Sequence, residues 1–144
     1  MTLNLPAFDI ITGVAADGAP TVYDSIRKKH VAATPEEWVR QHFVNYLINH
    51  LGFPASFIAN EIGLRLNGTM RRCDTIIFNR RLRPACVVEY KRPSVEVSSA
   101  VFDQIARYNS VLRAPFLIVS NGIRHFCCRF NGESYAFLPE IPSF

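Results

Sequence analysis

No stretch of this sequence stays apolar for the roughly 18 to 20 residues a membrane-spanning helix needs. The start, Met1-Thr2-Leu3-Asn4, lacks the basic and then apolar segments of an export signal. The expected location is therefore the cytoplasm, with no membrane partner. The four cysteines, Cys73, Cys86, Cys127 and Cys128, have no CxxC spacing and lie in apolar runs. That excludes a cysteine zinc site or a disulfide framework and reads as reduced core thiols. Internal repeats, low-complexity tracts and linker-like segments are also missing, so residues 1–144 are expected to form a single domain, long enough to bury a core. Lysine is scarce, at three residues against thirteen arginines, within a formal net charge of +4. Charge of that size says little alone. Its distribution says more, because Arg71, Arg72, Arg80, Arg81 and Arg83 crowd one short stretch. A planar guanidinium can grip two phosphate oxygens at once, although solvated hairpin ends carry the same pattern.

What is present is an ordinary globular composition, 49% hydrophobic and 19% charged. Phe8 to Ala15, a turn at Asp17-Gly18-Ala19-Pro20, and Thr21 to Ile26 predict an N-terminal hairpin. Thr34-Pro35-Glu36-Glu37 predicts a helix start, with Thr34 as N-cap, Pro35 at the first helical position and Glu37 closing a capping box. That helix should run to about Leu51 and stop at Gly52 and Pro54. Strands are expected at Phe57 to Leu66, then beyond the Asn67-Gly68 turn at Arg72 to Phe78, and at Ala85 to Lys91. Ser98 to Leu112 is helical by periodicity, with Val101, Phe102, Ile105, Val111 and Leu112 as its apolar face. Phe116 to Ser120, Arg124 to Phe130 and Tyr135 to Leu138 complete the strands. The order predicts an α/β fold of mixed α+β type, a central mixed β-sheet flanked by helices.

Chemistry concentrates in Val87-Val88-Glu89-Tyr90-Lys91. Residues i and i+2 of a strand point to one face, so Glu89 and Lys91 project together from an apolar, sheet-interior segment. Burying either charge costs several kcal/mol unless partners offset it. If the preceding strand pairs with this one, Asp74 comes opposite Glu89. A divalent cation relieves repulsion between two such carboxylates, and hard oxygen ligands suit Mg²⁺ or Mn²⁺ better than zinc. A lysine beside the metal can position the attacking water and stabilise charge developing on a phosphate. A salt-bridged strand end is the bland alternative. In the second helix Gln104 and Tyr108 lie four apart on one face. In the first, Glu37 and Arg40 share a stripe with Val44, Leu47, Ile48 and Leu51, where charge is unusual.

These stretches carry a resemblance. Thr34-Pro35-Glu36-Glu37-Trp38-Val39-Arg40-Gln41, Arg72-Cys73-Asp74-Thr75-Ile76-Ile77, Val88-Glu89-Tyr90-Lys91-Arg92-Pro93, Phe102-Asp103-Gln104-Ile105-Ala106-Arg107-Tyr108-Asn109 and Val119-Ser120-Asn121-Gly122 occur in the order seen in PD-(D/E)xK nucleases. In particular the chain resembles the N-terminal nuclease domain of type I restriction enzyme R subunits. The resemblance implies a restriction-endonuclease-like fold. It implies that Asp74 and Glu89 bind Mg²⁺ or Mn²⁺ with help from Glu37, and that Lys91 is the catalytic lysine. Gln104 and Tyr108 match a Q-x-x-x-Y motif associated with DNA handling, and Arg40, Arg72 and Arg92 join them as candidates for DNA contact. Cys73 stands where the name-giving motif has proline.

R subunits join such a nuclease to an ATP-driven translocase, whereas this sequence has no GxxxxGK[ST] phosphate loop. The expectation is a DNA endonuclease without its own motor, acting alone, as a homodimer, or beside motor or specificity subunits on other chains. A non-catalytic nucleic-acid-binding subunit that keeps the nuclease fold is the competing class.

Overall fold

The computed structural model describes residues 2–144. Three short strands, β1 (Thr12–Val14), β2 (Pro20–Asp24) and β3 (Lys29–Ala32), form an antiparallel sheet. The predicted hairpin is thus a three-stranded meander. Its first strand is shorter than expected, and its third was hidden because Lys29-His30-Val31-Ala32 is half polar and exposed but for Val31.

Helix α1 (Pro35–Asn49) begins as its sequence dictates: the Thr34 hydroxyl accepts the Glu37 N–H at 3.1 Å, and Pro35 fills the first turn. The other half of the capping box is absent, because the Glu37 side chain is drawn elsewhere and the Thr34 N–H donates to the Ala32 carbonyl. The helix ends two residues before the predicted Leu51.

Strands β4 (Ile58–Leu66), β5 (Thr69–Phe78), β6 (Pro84–Tyr90), β7 (Phe116–Ser120), β8 (His125–Phe130) and β9 (Tyr135–Leu138) form a second sheet in that order. Every neighbouring pair is antiparallel except β6 and β7, which helix α2 (Ser99–Leu112) joins as a parallel crossover. The β4–β5 turn needs left-handed backbone at both central positions, and Asn67 and Gly68 supply φ of 50° and 77°.

Each face of this sheet carries its own core. Val39, Phe43, Val44 and Leu47 of α1 pack on Ile77, Val88, Tyr90 and Ile118, while Val101, Ile105 and Tyr108 of α2 pack on Ile76, Val87, Leu117 and Val119. The predicted inward face of α2 is corrected at one position: Val111 is half exposed, and Tyr108 takes the inward stripe instead. All four cysteines are free and buried. Among the described residues no helix is long and apolar enough to cross a membrane.

Ile76 is fully buried in the second half of β5, in the α2-side core. Ile76→Ala should lower the unfolding free energy by about 2–5 kcal/mol in urea titrations followed by circular dichroism. A loss below about 1 kcal/mol would mean that this core is not close-packed at β5.

Candidate active site

Strand β6 alternates between the two cores: Cys86, Val88 and Tyr90 face α1, and Val87 faces α2. Glu89, of the same parity as Val87, therefore projects on the α2 side, and Lys91 follows just beyond the strand end. The register Thr75↔Val88 continues to place Asp74 opposite Glu89. Asp74 Oδ2 accepts the Tyr90 N–H at 2.8 Å, which fixes its carboxylate against the end of β6.

The two carboxyl groups are close enough for each to shift the other's protonation. Burial pushes Glu89 up from an ordinary 4.5 to about 8, and the Asp74 charge adds to the push, against the opposing pull of Lys91. Asp74 is raised too, by burial first and by the nearby Glu61 charge, against the Tyr90 N–H and Arg40, which hold it down. Lys91 Nζ lies 3.9 Å from Glu89 Oε1 and donates at 3.5 Å to Gln104 Oε1, while Gln104 Nε2 donates at 3.4 Å to the Tyr108 hydroxyl. A chain of long polar contacts thus links Glu89 and Lys91 to α2.

The pair passes a test of fit for a hard divalent cation. Glu89 Oε2 is buried without a hydrogen-bond partner, as expected of a carboxylate facing another carboxylate with no donor between them. A cation there satisfies the orphaned oxygen and the repulsion together. Among the described residues no cluster of three or more His, Cys, Asp or Glu side chains is arranged to hold a metal ion. Two carboxylates nonetheless suit Mg²⁺, which usually keeps several waters and takes one or two protein carboxylates plus substrate oxygens.

Glu37 departs from expectation. One of its oxygens accepts from Arg27 Nη2 (2.6 Å) and Gln41 Nε2 (3.0 Å), and the other lies 3.3 Å from Arg40 Nε. The first-helix carboxylate whose charge is felt at Glu89 is its neighbour, Glu36. Arg40 departs as well. It is 5% exposed, donates to the Asp74 carbonyl (2.8 Å) and to Glu61 Oε1, and lies 5.8 Å from the centre of the Tyr90 ring. A guanidinium so enclosed supports Asp74 from behind and has no face left for DNA. Arg72 is three-quarters exposed and only 3.9 Å from Glu61 Oε2, a weak surface pair. Arg92 is exposed, beside a cavity of about 440 Å³ lined by Thr34, Pro35 and Trp38.

Sequence reasoning missed Glu61. It lies on β4 opposite Asp74, between the pairs Asn60↔Thr75 and Ile62↔Cys73, in left-handed backbone with φ of 59°. A carboxylate between the apolar residues Ile58 and Ile62 of the strand was the available signal, weakened by its polar neighbour Asn60. The block Val119-Ser120-Asn121-Gly122 acts through one backbone and one side-chain contact: the Ser120 carbonyl accepts the Lys91 N–H (2.9 Å), and Asn121 Nδ2 donates to the Val95 carbonyl (2.8 Å). It thereby fixes the loop that leaves Lys91.

A mixed sheet between two helices, with two facing carboxylates and a lysine where the inner parallel strand ends, defines a restriction-endonuclease-like protein. The family model for the type I restriction enzyme R protein N terminus matches residues 35–142, and the chain belongs to that family. A solved structure described as a fragment of an HsdR subunit of a type I restriction enzyme from Vibrio vulnificus YJ016 shares the fold. Its TM-score is 0.58 at 18% identity, over 75% of this chain and 23% of that one. The chain thus spans about a quarter of that relative's length. No curated protein sequence matches it significantly.

A carboxyl whose pKa is higher folded than unfolded makes folding take up a proton. The stability this contributes is complete below about 4.5 and lost as pH rises toward about 8. Without metal, the melting temperature should fall across that interval, and Glu89→Gln should flatten the fall. An unchanged slope in the variant would remove Glu89 as its source. Arg40→Ala removes the close partner of Glu61 and the donor to the Asp74 carbonyl, while Glu37 keeps Arg27, and should cost about 3–5 kcal/mol by denaturant titration. A fully stable variant would contradict the supporting role described for Arg40.

Proposed function

We propose that the protein is a divalent-metal-dependent endonuclease that hydrolyses DNA phosphodiester bonds, with Asp74 and Glu89 as ligands of Mg²⁺ or Mn²⁺ and Lys91 as catalytic lysine. The observation that carries this reading is a buried carboxylate, Glu89, facing the half-buried carboxylate of Asp74, with an ammonium 3.9 Å from Glu89, on the α2 side at the end of β6. A structural ion pair alone does not explain the arrangement, because Lys91 lies near Glu89 Oε1 and leaves the buried Oε2 without a partner. Membership of the R-protein N-terminal family supports the same chemistry.

Each residue has a task within reach of its observed contacts. Asp74, fixed by the Tyr90 N–H, and Glu89, with its unsatisfied oxygen, hold the cation. The cation, when bound, would supply Lewis acidity and positive charge to offset charge on the phosphate. Lys91, steadied by Gln104, orients the attacking water through its ammonium and offsets the charge that grows on the phosphate oxygens. The burial that raises Glu89 also strengthens these interactions, since charges act more strongly away from bulk water.

One such set serves one scissile phosphate at a time. A homodimer, or a motor or specificity subunit on another chain, would supply what double-strand cleavage or directed cleavage requires. With supercoiled plasmid and Mg²⁺ or Mn²⁺, open circles should accumulate before linear DNA. Chelator should stop the reaction, and Lys91→Ala should lower the rate at least about 100-fold. Full activity in Lys91→Ala would overturn the assignment.

A further inference from the structure

Beside the carboxylate pair, between the tip of the β4–β5 hairpin and α2, lies a cavity of about 560 Å³. Its polar lining comprises Asn67, Thr69, Arg71, Gln104, Arg107 and Tyr108. Arg71 and Arg107 are exposed, reach the cavity from opposite walls, and form no salt bridge among the described residues. Among the described residues no carboxylate lines the cavity. The cavity holding Arg124 differs in this respect, because it also holds Glu96. The arginine cluster is divided by the fold: Arg71 and Arg72 lie on the hairpin side of Asp74, whereas Arg80, Arg81 and Arg83 lie in the turn beyond Phe78 at the other end of β5.

We infer that this cavity is a binding site for the phosphodiester backbone of the DNA strand that flanks the cleaved bond, with Arg71 and Arg107 each neutralising one phosphate. Two unpaired guanidinium groups facing one polar space, without an acid, favour an anion with several oxygens on each charged centre. The path from the chemistry is continuous, since Gln104 touches Lys91 on one side and lines the cavity on the other. Arg107 and Tyr108 follow at the spacings that share a helical face. Along β5, Arg71 is three residues from Asp74, about 10 Å, or about three nucleotide steps at the duplex rise per strand. The Tyr108 hydroxyl and the Thr69 and Asn67 side chains add neutral hydrogen-bonding groups of the kind that position a backbone without reading sequence.

The inference rests on the nuclease reading for its choice of ligand, and it is tested without cleavage. Binding of a fluorescent DNA duplex is measured by anisotropy in chelator over a salt series. Each phosphate contact contributes about 0.9 to the slope of log affinity against log salt, so Arg71→Ala/Arg107→Ala should lower the slope by about 1.8. Between 50 and 200 mM salt the wild type should then lose about 12-fold more affinity than the variant. Melting temperature, and its rise with Mn²⁺, should be unchanged in the variant. Arg80→Ala/Arg81→Ala, at the far end of β5, should leave the slope nearly intact. An unchanged slope in the first variant, an equal loss in the second, or no DNA binding by the wild type overturns the inference. Binding with these slopes but no cleavage by wild type would sink the nuclease reading and leave the binding site standing. Cleavage with an unaffected slope would do the reverse.

Discussion

The candidate site depends on how the structure tolerates carboxylates away from water, and Arg40 is the group that answers most of that demand. Its guanidinium lies near Glu37, Glu61 and the Asp74 carbonyl, and it rests near the ring of Tyr90. Burial alone would lower its basicity, but Glu37 and Glu61 more than compensate, so it stays charged. Around it a hydrogen-bonded series ties three parts of the fold. Tyr90 donates to Thr75 (3.0 Å), Thr75 to Asn60 (2.7 Å), and Asn60 to Asp24 (3.0 Å) of the N-terminal sheet. Asp24 in turn receives Arg27, which also reaches Glu37. Apart from the Arg40 Nε, the buried polar atoms of this network are partnered, and such networks hold one arrangement because any other leaves charges unpaired. Glu89 lies outside it, and its unsatisfied oxygen is therefore a local exception and not a symptom of loose packing.

That network has a geometric counterpart in the hairpin of β4 and β5. Ile58 and Asn60 face α1, yet Leu64, of the same parity, packs under α2; likewise Ile77 faces α1 and Cys73 faces α2. Both strands exchange faces at one level, between Asn60 and Ile62 on β4 and between Cys73 and Thr75 on β5. Glu61 carries the exchange on its strand in left-handed backbone, which costs a non-glycine residue on the order of 1–3 kcal/mol. Arg40 bridges the two residues at this level, Glu61 through its carboxylate and Asp74 through its carbonyl. The strain and the clamp that holds it therefore coincide with the carboxylate pair, where strained backbone is commonly found.

Most elements were legible because local signals agreed. The Thr34-Pro35 start, the Asn67-Gly68 turn and the apolar run of β7 each have one reading, and the pairing of two apolar strands through a turn brings Asp74 toward Glu89, with the final register set by a shift between Ile77 and Phe78. What escaped were features decided by long-range partners. Strand β3 is too polar and exposed to show a strand period. Glu37 was read as a cap and metal helper, but Arg27, distant in sequence and unremarkable as a surface cation, draws its side chain away. The DNA-contact reading of Arg40 failed similarly: its helical stripe showed that it faces inward, but nothing local showed that Glu61 and a strand carbonyl wait there. A left-handed glutamate inside a strand has no sequence signature, since its conformation is imposed by the neighbouring strand and by Arg40.

The position of the chemistry then follows from topology. β6 and β7 form the one parallel pair of the larger sheet, and α2 is the crossover between them. In sheets of this kind the open crevice lies beyond the carboxyl ends of parallel strands. β6 delivers Glu89 and Lys91 to that end, and β7 supports it by accepting the Lys91 N–H through the Ser120 carbonyl. One strand divides its labour by parity. Val87 and Glu89 belong to the α2 side, while Val88 and Tyr90 lock the strand to α1, and the backbone N–H of Tyr90 reaches sideways to Asp74. Moving the strand by one residue would send Glu89 into the α1 core and Tyr90 toward α2. The packing that holds the sheet to α1 therefore also sets which side of it carries the carboxylate pair.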